Sequence, residues 1–352
     1  MADVFHLPDY SIFVGSVAET LLPWLKQHAF SKIFVIADSN AYACCAHLLP
    51  VLDAEVHIVQ VPPPSERPGG AERLKNLASC EKIWSAMLDA QLDRKTLVLN
   101  FGGGVIGDMG GFCAATYKRG IDFIQIPTTL LAMTDAAIGG KLGIDFQGIK
   151  NTIGVFQNPG AVFVDPEFLK TLPARELRSG FAEVIKHARI GDPGLWEKIQ
   201  MLPPDSLAPD ALSTTEWADI LRASIAVKVR VVTEDPREQG IRALLNFGHT
   251  FGHALESFFL ETDDPLTHGE AVAIGMVCES EAAHGTLLRL FPNRNIPESA
   301  VPALWALMLQ DKKNASGAVR IAVPDAYPFS MTLLEITREE AERRLRYYNS
   351  LG

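Results

Sequence analysis

The run Thr96-Leu-Val-Leu-Asn-Phe101-Gly102-Gly-Gly104-Val-Ile-Gly107-Asp108 decides the fold. Its first half reads as a buried strand. That strand passes without a spacer into Gly-x-Gly-x-x-Gly, beyond which Met109 to Tyr117 has the pattern of a helix. Glycines at such a turn let backbone N–H groups approach a pyrophosphate, and the helix N-terminus adds partial positive charge. Glycine-rich turns often do no more than tighten a corner. Here the position directly after a strand points to a dinucleotide, with Gly103, Gly104 and Asp108 at the turn.

Working outward, the same alternation repeats. Upstream lie a short strand from Ser11, a helix over Leu21 to His28 and a strand over Lys32 to Asp38 that ends in a carboxylate. A strand over Glu55 to Val61, a proline-rich breaker to Gly70 and a helix over Glu72 to Ala90 follow. Downstream, Ile121 to Pro127 is a strand closing on the hydroxyls of Thr128 and Thr129, and Gly160 to Val164 is a further strand. Strand and helix in alternation imply a parallel sheet covered on both faces. Between the last two strands, Asp135, Lys141, Lys150 and Asn151 sit among Gly139, Gly140, Gly143 and Gly148, which reads as an anion-binding loop at a domain junction.

Beyond Asp165-Pro166 the character changes. Amphipathic helices are expected over Glu176 to His187, Leu195 to Gln200, Thr214 to Thr233, Ala243 to Phe259, Gly269 to His284 and Pro302 to Leu309, interrupted by a strand-like Ala318 to Pro324. At 352 residues the chain exceeds what one core usually supports. The expectation is therefore an α/β Rossmann-like nucleotide-binding domain over 1–164 and an all-helical, metal- and substrate-binding domain over 165–352, with the active site in the cleft between them.

The helical half carries a second cluster of chemistry, Arg242-Ala-Leu-Leu-Asn246-Phe-Gly-His249-Thr-Phe-Gly-His253-Ala-Leu-Glu256, followed by Leu266-Thr-His268-Gly-Glu270. Four residues apart on a helix, His249 and His253 leave the same face, a spacing that suits a metal. A third ligand has two candidates: His268, and Glu183 in Ser179-Gly-Phe-Ala-Glu183-Val-Ile-Lys186. Histidines on apolar helices are mostly satisfied core residues. This group stands apart because His249, His253 and His268 are interleaved with Gly248, Gly252 and Gly269, which clear space for a ligand.

Composition narrows the rest. Hydrophobic content of 47% with 21% charged residues is that of a globular protein. Against 42 acidic residues stand 32 basic ones, and the net charge of −10 argues against nucleic acid or an anionic membrane as partner. Five cysteines without a CxxC spacing read as reduced thiols in the cytoplasm. The N-terminus shows no signal-peptide pattern, and no segment is long and apolar enough to span a bilayer.

Taken together, these motifs resemble the 3-dehydroquinate synthases, within the sugar phosphate cyclases. The resemblance runs nearly end to end. It rests on Gly-Gly-Gly-Val-Ile-Gly-Asp at 102–108, Tyr-Lys-Arg119-Gly, Ile-Pro-Thr-Thr-Leu-Leu at 126–131, Gly-Gly-Lys141, Lys150-Asn151, Ser-Gly-Phe-Ala-Glu183-Val-Ile-Lys186, Asn246-Phe-Gly-His249-Thr-Phe-Gly-His253, His268-Gly-Glu270 and Asp311-Lys312-Lys313. It implies a homodimeric carbon–oxygen lyase of the shikimate pathway that feeds aromatic amino acid biosynthesis. Such an enzyme uses NAD+ catalytically and needs a divalent metal, zinc or cobalt. The implied substrate is 3-deoxy-D-arabino-heptulosonate 7-phosphate, and the products are 3-dehydroquinate and phosphate, with no net redox change.

By similarity Glu183, His249 and His268 bind the metal, whereas His253 contacts the substrate phosphate. Lys141, Asn151, Asn246 and a lysine of the 311–313 run, taken as Lys312, surround that phosphate too, with Arg119 reaching in from a dimer partner. Lys228 and Arg242 would hold the substrate carboxylate, and Asp135, Lys186 and Asn246 the ring hydroxyls. For NAD+, the resemblance implies Asp38, Gly103, Gly104, Asp108, Thr128, Thr129, Lys150, Thr171 and Leu172. Glu72 and Lys75 are the best match to a further pair, displaced by an insertion at 67–70. Leu142 stands where the family usually has Thr, which would remove a hydroxyl beside the substrate loop.

Three rivals remain. A sister cyclase acting on sedoheptulose 7-phosphate or glucose 6-phosphate would have no carboxylate for Lys228 and Arg242 to bind. A metal-dependent polyol dehydrogenase would have no need of Lys141, Asn151 and His253. A non-catalytic NAD-binding regulator would not keep every catalytic position filled.

Overall fold

The computed structural model describes residues 2–61, 70–147, 149–208, 210–310, 318–326 and 328–351. The chain divides into two compact units, Met1–Pro173 with Leu212–Val229, and Ala174–Ala211 with Arg230–Gly352.

The first unit opens with β1 (Asp3–His6), β2 (Ser11–Val14), α1 (Val17–Leu25), β3 (Ile33–Asp38), α2 (Ser39–Cys45), β4 (Ala54–Val59) and α3 (Leu77–Asp89). It continues with β5 (Leu97–Gly102), α4 (Gly104–Thr116), β6 (Asp122–Pro127), β7 (Lys141–Phe146), β8 (Ile149–Phe156) and β9 (Ala161–Val164). Seven strands form one sheet in the order β1-β2-β9-β6-β5-β3-β4. All its pairings are parallel except β1 with β2. Between β3 and β6, strand β5 is buried along its whole length, which is why it reads as a continuous apolar run rather than an alternating one. On one side Phe34, Ile36 and Val98 pack with Cys80, Ile83 and Met87 of α3 and Ile106, Met109 and Phe112 of α4. Each such side chain contributes about 1.5–3 kcal/mol by leaving water.

The glycine-punctuated stretch expected as an anion-binding loop is instead an antiparallel hairpin, β7 with β8. Leu142, Ile144, Ile153 and Val155 supply a strand pattern that the intervening glycines and lysines obscure.

The second unit holds α5 (Ala174–Gly191) and α6 (Pro193–Met201). Next comes α7 (Thr214–Glu234), whose residues up to Val229 belong to the first unit. Then follow α8 (His249–Leu260), α9 (His268–Glu279), α10 (His284–Leu290), α11 (Val301–Gln310), β10 (Val319–Pro324), β11 (Met331–Ile336) and α12 (Arg338–Ser350). Residues 269–279 of α9 are buried on every face, so it is the central helix of this unit. The unit is not purely helical, because β10 and β11 pair as a small antiparallel sheet.

The helix expected over Ala243 to Phe259 is broken. A 3-10 turn spans Ile241–Asn246, and α8 begins only after Gly248, whose φ of +79° is a left-handed conformation that glycine adopts cheaply. Likewise α9 stops at Glu279 rather than running on to His284.

Candidate active site

Three helices of the second unit bring the metal candidates together. From α5, Glu183 is fully buried and its carboxylate meets the Lys186 ammonium one turn on. His249 is the first residue of α8 and His268 the first of α9. Nε2 of each lies 3.5 Å from Oε1 of Glu183. The donor atoms of these three residues all fall within 4.8 Å of one another. His253 stands one turn along α8, its ring centroid 5.1 Å from that of His249 and 6.0 Å from that of His268.

The outer ring nitrogens are already engaged. Nδ1 of His249 lies 3.1 Å from the Phe247 carbonyl oxygen, and Nδ1 of His268 lies 3.1 Å from Oε2 of Glu256. Both neighbours only accept, so Nδ1 donates in each ring, and Nε2, on the Glu183 side, is the nitrogen that can offer a lone pair once it carries no proton. One carboxylate and two imidazoles so presented fit zinc or cobalt. Burial works against a charge on His268, but Glu256 and Glu183 outweigh it and push its pKa to about 10. A cation held by His268 would therefore displace a proton from Nε2.

Helix ends fix where these side chains start. The Thr267 hydroxyl accepts from Glu270 N at 3.3 Å, and the Glu270 carboxylate accepts from Thr267 N at 2.8 Å, a reciprocal cap that sets the first turn of α9. Arg175 of α5 pairs with both oxygens of Glu270, at 2.9 and 2.7 Å. A Cβ on Gly269 would lie 1.8 Å from the Ser179 carbonyl oxygen, so α5 and α9 approach as closely as they do only because this residue is glycine. At the start of α8, Gly248 N donates to Glu279 at 2.7 Å.

These orienting groups, Thr267, Arg175, Glu279 and Glu256, escaped the sequence analysis. Two left a trace in it: Thr-x-x-Glu is a capping pattern, and 249, 253 and 256 share one helical face.

Elsewhere in this unit Arg242 lies in the 3-10 turn and is only 2% exposed. Its Nη1 donates to the Pro236 carbonyl at 2.6 Å, and Asn246 donates to Glu238 at 2.6 Å.

In the first unit the candidates gather at the carboxyl ends of β3, β5 and β6. Asp38 ends β3 and accepts from Ala41 N at 2.7 Å, and burial pushes its pKa up. Gly103 precedes the first turn of α4, which begins at Gly104 rather than Met109, and Thr128 N donates to Gly102 O at 2.9 Å. A Cβ on Gly102 would meet Asp38 Oδ2 at 2.6 Å, and one on Gly103 would meet Thr129 at 3.1 Å. Asp38 and Thr129 thus flank a bare backbone turn at a helix N-terminus, a setting suited to a pyrophosphate.

A second group lies on the hairpin side. Lys75 bonds to Asp108 and, at 2.6 Å, to Asn151, while Lys150 pairs with Glu72 at 2.8 Å. Burial disfavours the Lys75 charge, but Asp108 and Glu72 outweigh it and raise its pKa. Lys228 of α7 meets Asp135 at 2.5 Å. Thr171 contacts Cys45 at 3.3 Å, and Leu172 closes the 3-10 turn Pro166–Thr171. Lys141 is exposed at the start of β7, and Arg119 is exposed with a φ of +67°.

Lys312 and the insertion up to residue 69 lie outside the described residues. The Leu142 side chain is 6% exposed in the first unit's core, where a Cβ on Gly111 would lie 2.6 Å from it.

A family model described as 3-dehydroquinate synthase N-terminal matches residues 68–179, and one described as 3-dehydroquinate synthase C-terminal matches 180–314. The 3-dehydroquinate synthase of Parabacteroides distasonis is 37% identical over 344 residues, which are 93% of this chain and 94% of that protein. That of Thermosynechococcus vestitus is 46% identical over 271 residues, covering 72% and 73%. Among solved structures, 2-epi-5-epi-valiolone synthase from Streptomyces hygroscopicus subsp. jinggangensis, with NAD+ and Zn2+ bound, superposes with a TM-score of 0.81 at 26% identity over 100% of both chains.

Proposed function

Because the chain belongs to the 3-dehydroquinate synthase family, its reaction is the formation of 3-dehydroquinate in the shikimate pathway, and we propose how its residues divide that work. The substrate is 3-deoxy-D-arabino-heptulosonate 7-phosphate, and phosphate is the other product, which makes the enzyme a carbon–oxygen lyase. The observation that carries the reading is the convergence of Glu183, His249 and His268 with both histidine Nδ1 atoms already engaged.

Those three residues would hold a zinc or cobalt ion. The turn between β5 and α4, with Asp38, Thr128, Thr129, Thr171, Leu172 and the Lys75–Asp108 and Glu72–Lys150 pairs, would hold NAD+. When bound, the metal supplies a Lewis acid for a substrate hydroxyl, and NAD+ accepts a hydride and gives it back. The two units are accordingly assigned as a nucleotide-binding and a metal- and substrate-binding domain.

The chain's own side chains do the rest. In the second unit the buried Arg242 guanidinium pairs with the substrate carboxylate, in the bidentate manner arginine favours. His253 takes the phosphate, and Asn246 and Lys186 orient hydroxyls. In the first unit Lys228, held by Asp135, and Lys141 and Asn151 offer cationic and amide donors to an anionic substrate. Lys312 is assigned to the phosphate by similarity alone.

We read the enzyme as a homodimer in which Arg119 serves the partner's site. Support comes from the exposed Phe146, Ile149, Ile153 and Phe156 on the β7–β8 hairpin, an apolar surface of the kind a second copy covers. All five cysteines are free thiols, in keeping with the cytoplasm.

The test is phosphate release with NAD+ and divalent metal, compared across heptulosonate phosphate, sedoheptulose 7-phosphate and glucose 6-phosphate. Release is expected from the first alone, without accumulation of NADH. Arg242→Ala should lose about 10²-fold or more in kcat/KM, because a charge-assisted bond to a desolvated carboxylate is removed. Steady NADH build-up with a polyol, or equal turnover of the carboxylate-free sugars, overturns the reading.

A further inference from the structure

The two histidines offered to the metal take their ring orientation from acceptors of different kinds. His249 leans on a neutral main-chain oxygen, that of Phe247, whereas His268 leans on a carboxylate, that of Glu256, at the same 3.1 Å. Glu256 is 5% exposed and does not belong to the converging donor set. It sits on α8, whose first residue is His249, yet it acts on the first residue of α9. One helix thus carries one candidate ligand and also the group that aims the next.

We propose that Glu256 is a positioning residue for the metal site: it holds His268 in the Nδ1–H tautomer, directs Nε2 toward Glu183, and adds a negative charge that strengthens the imidazole as a donor to a dication. The inference rests on the metal reading of Glu183, His249 and His268. Two physical effects are combined in it. The hydrogen bond selects the tautomer and the ring angle, and the charge raises donor strength, as carboxylate partners of metal-bound histidines do. At His249 the Phe247 carbonyl supplies the first effect.

The effects separate experimentally. Zinc affinity is measured by chelator competition, and the visible absorption of the Co2+ form is recorded, on full-length wild type, Glu256→Gln and Glu256→Ala. Glu256→Ala should lose about 10–100-fold in zinc affinity and shift the Co2+ bands. In Glu256→Gln the amide oxygen still accepts the Nδ1–H bond without the charge, so affinity should fall between the two and the bands should stay near those of wild type. A merely structural role would leave the zinc affinity of Glu256→Gln at the wild-type value when its Co2+ bands are those of wild type. If Glu256→Ala does not fold, Glu256→Gln carries the test: weaker zinc binding with near-wild-type bands supports the proposal. Zinc affinity of Glu256→Gln equal to that of wild type overturns it. Wild type that binds neither ion overturns the metal site itself, a failure distinct from that of Glu256.

Discussion

Leu142 shows how a departure from a family pattern is to be weighed. A threonine there would place a hydroxyl in the apolar core beside Gly111 and leave part of the leucine volume empty. Leu142→Thr should therefore destabilise the protein by about 2–4 kcal/mol in urea unfolding and leave KM for the heptulosonate phosphate unchanged. A lower KM with undiminished stability would return the side chain to the substrate loop. The same scale shows what residue patterns convey. Spacing along one helix pairs His249 with His253, but the grouping of His249 and His268 with Glu183 depends on how α5, α8 and α9 pack, which no local spacing encodes. The Lys75–Asp108–Asn151 contacts are likewise long-range, and an insertion blurs the sequence around them.

At the scale of elements, the parallel strands were legible because burial on both faces writes them as apolar runs, and the turn after β5 because only glycine fits beside Asp38. What escaped notice lacked such contrast. β1 and β11 are largely exposed, α12 is dense in charge, and the β7–β8 hairpin is masked by glycines. The cap of α9 yields a pH prediction. Burial alone would raise the Glu270 pKa, yet Arg175 and Thr267 hold it below its ordinary 4.5. A depressed carboxylate contributes its stability fully above the unfolded value and loses it as pH falls through the folded one. Below pH 4.5 the metal-free wild type should accordingly lose stability more steeply than Glu270→Gln, as followed by urea midpoints; parallel slopes would remove the Arg175–Glu270 tie from the account.

At the scale of the whole molecule, an overall charge of −10 coexists with cations buried in each unit, Lys228 in the first and Arg242 in the second. Ligation that occurs only in the folded state stabilises that state by mass action, so zinc at about 100 times its Kd should add about 2.7 kcal/mol to unfolding. Chelation should remove the increment, and Glu183→Gln should abolish it; a full increment in that variant would place the ion elsewhere. The return of Leu212–Val229 to the first unit bears on synthesis at the ribosome. A nascent chain that has emerged only as far as Pro173 still lacks the α7 segment and the Lys228 partner of Asp135. Residues 174–211 of the other unit leave the exit tunnel first, so the N-terminal unit must wait for one short piece made later, and vectorial folding cannot complete it in order.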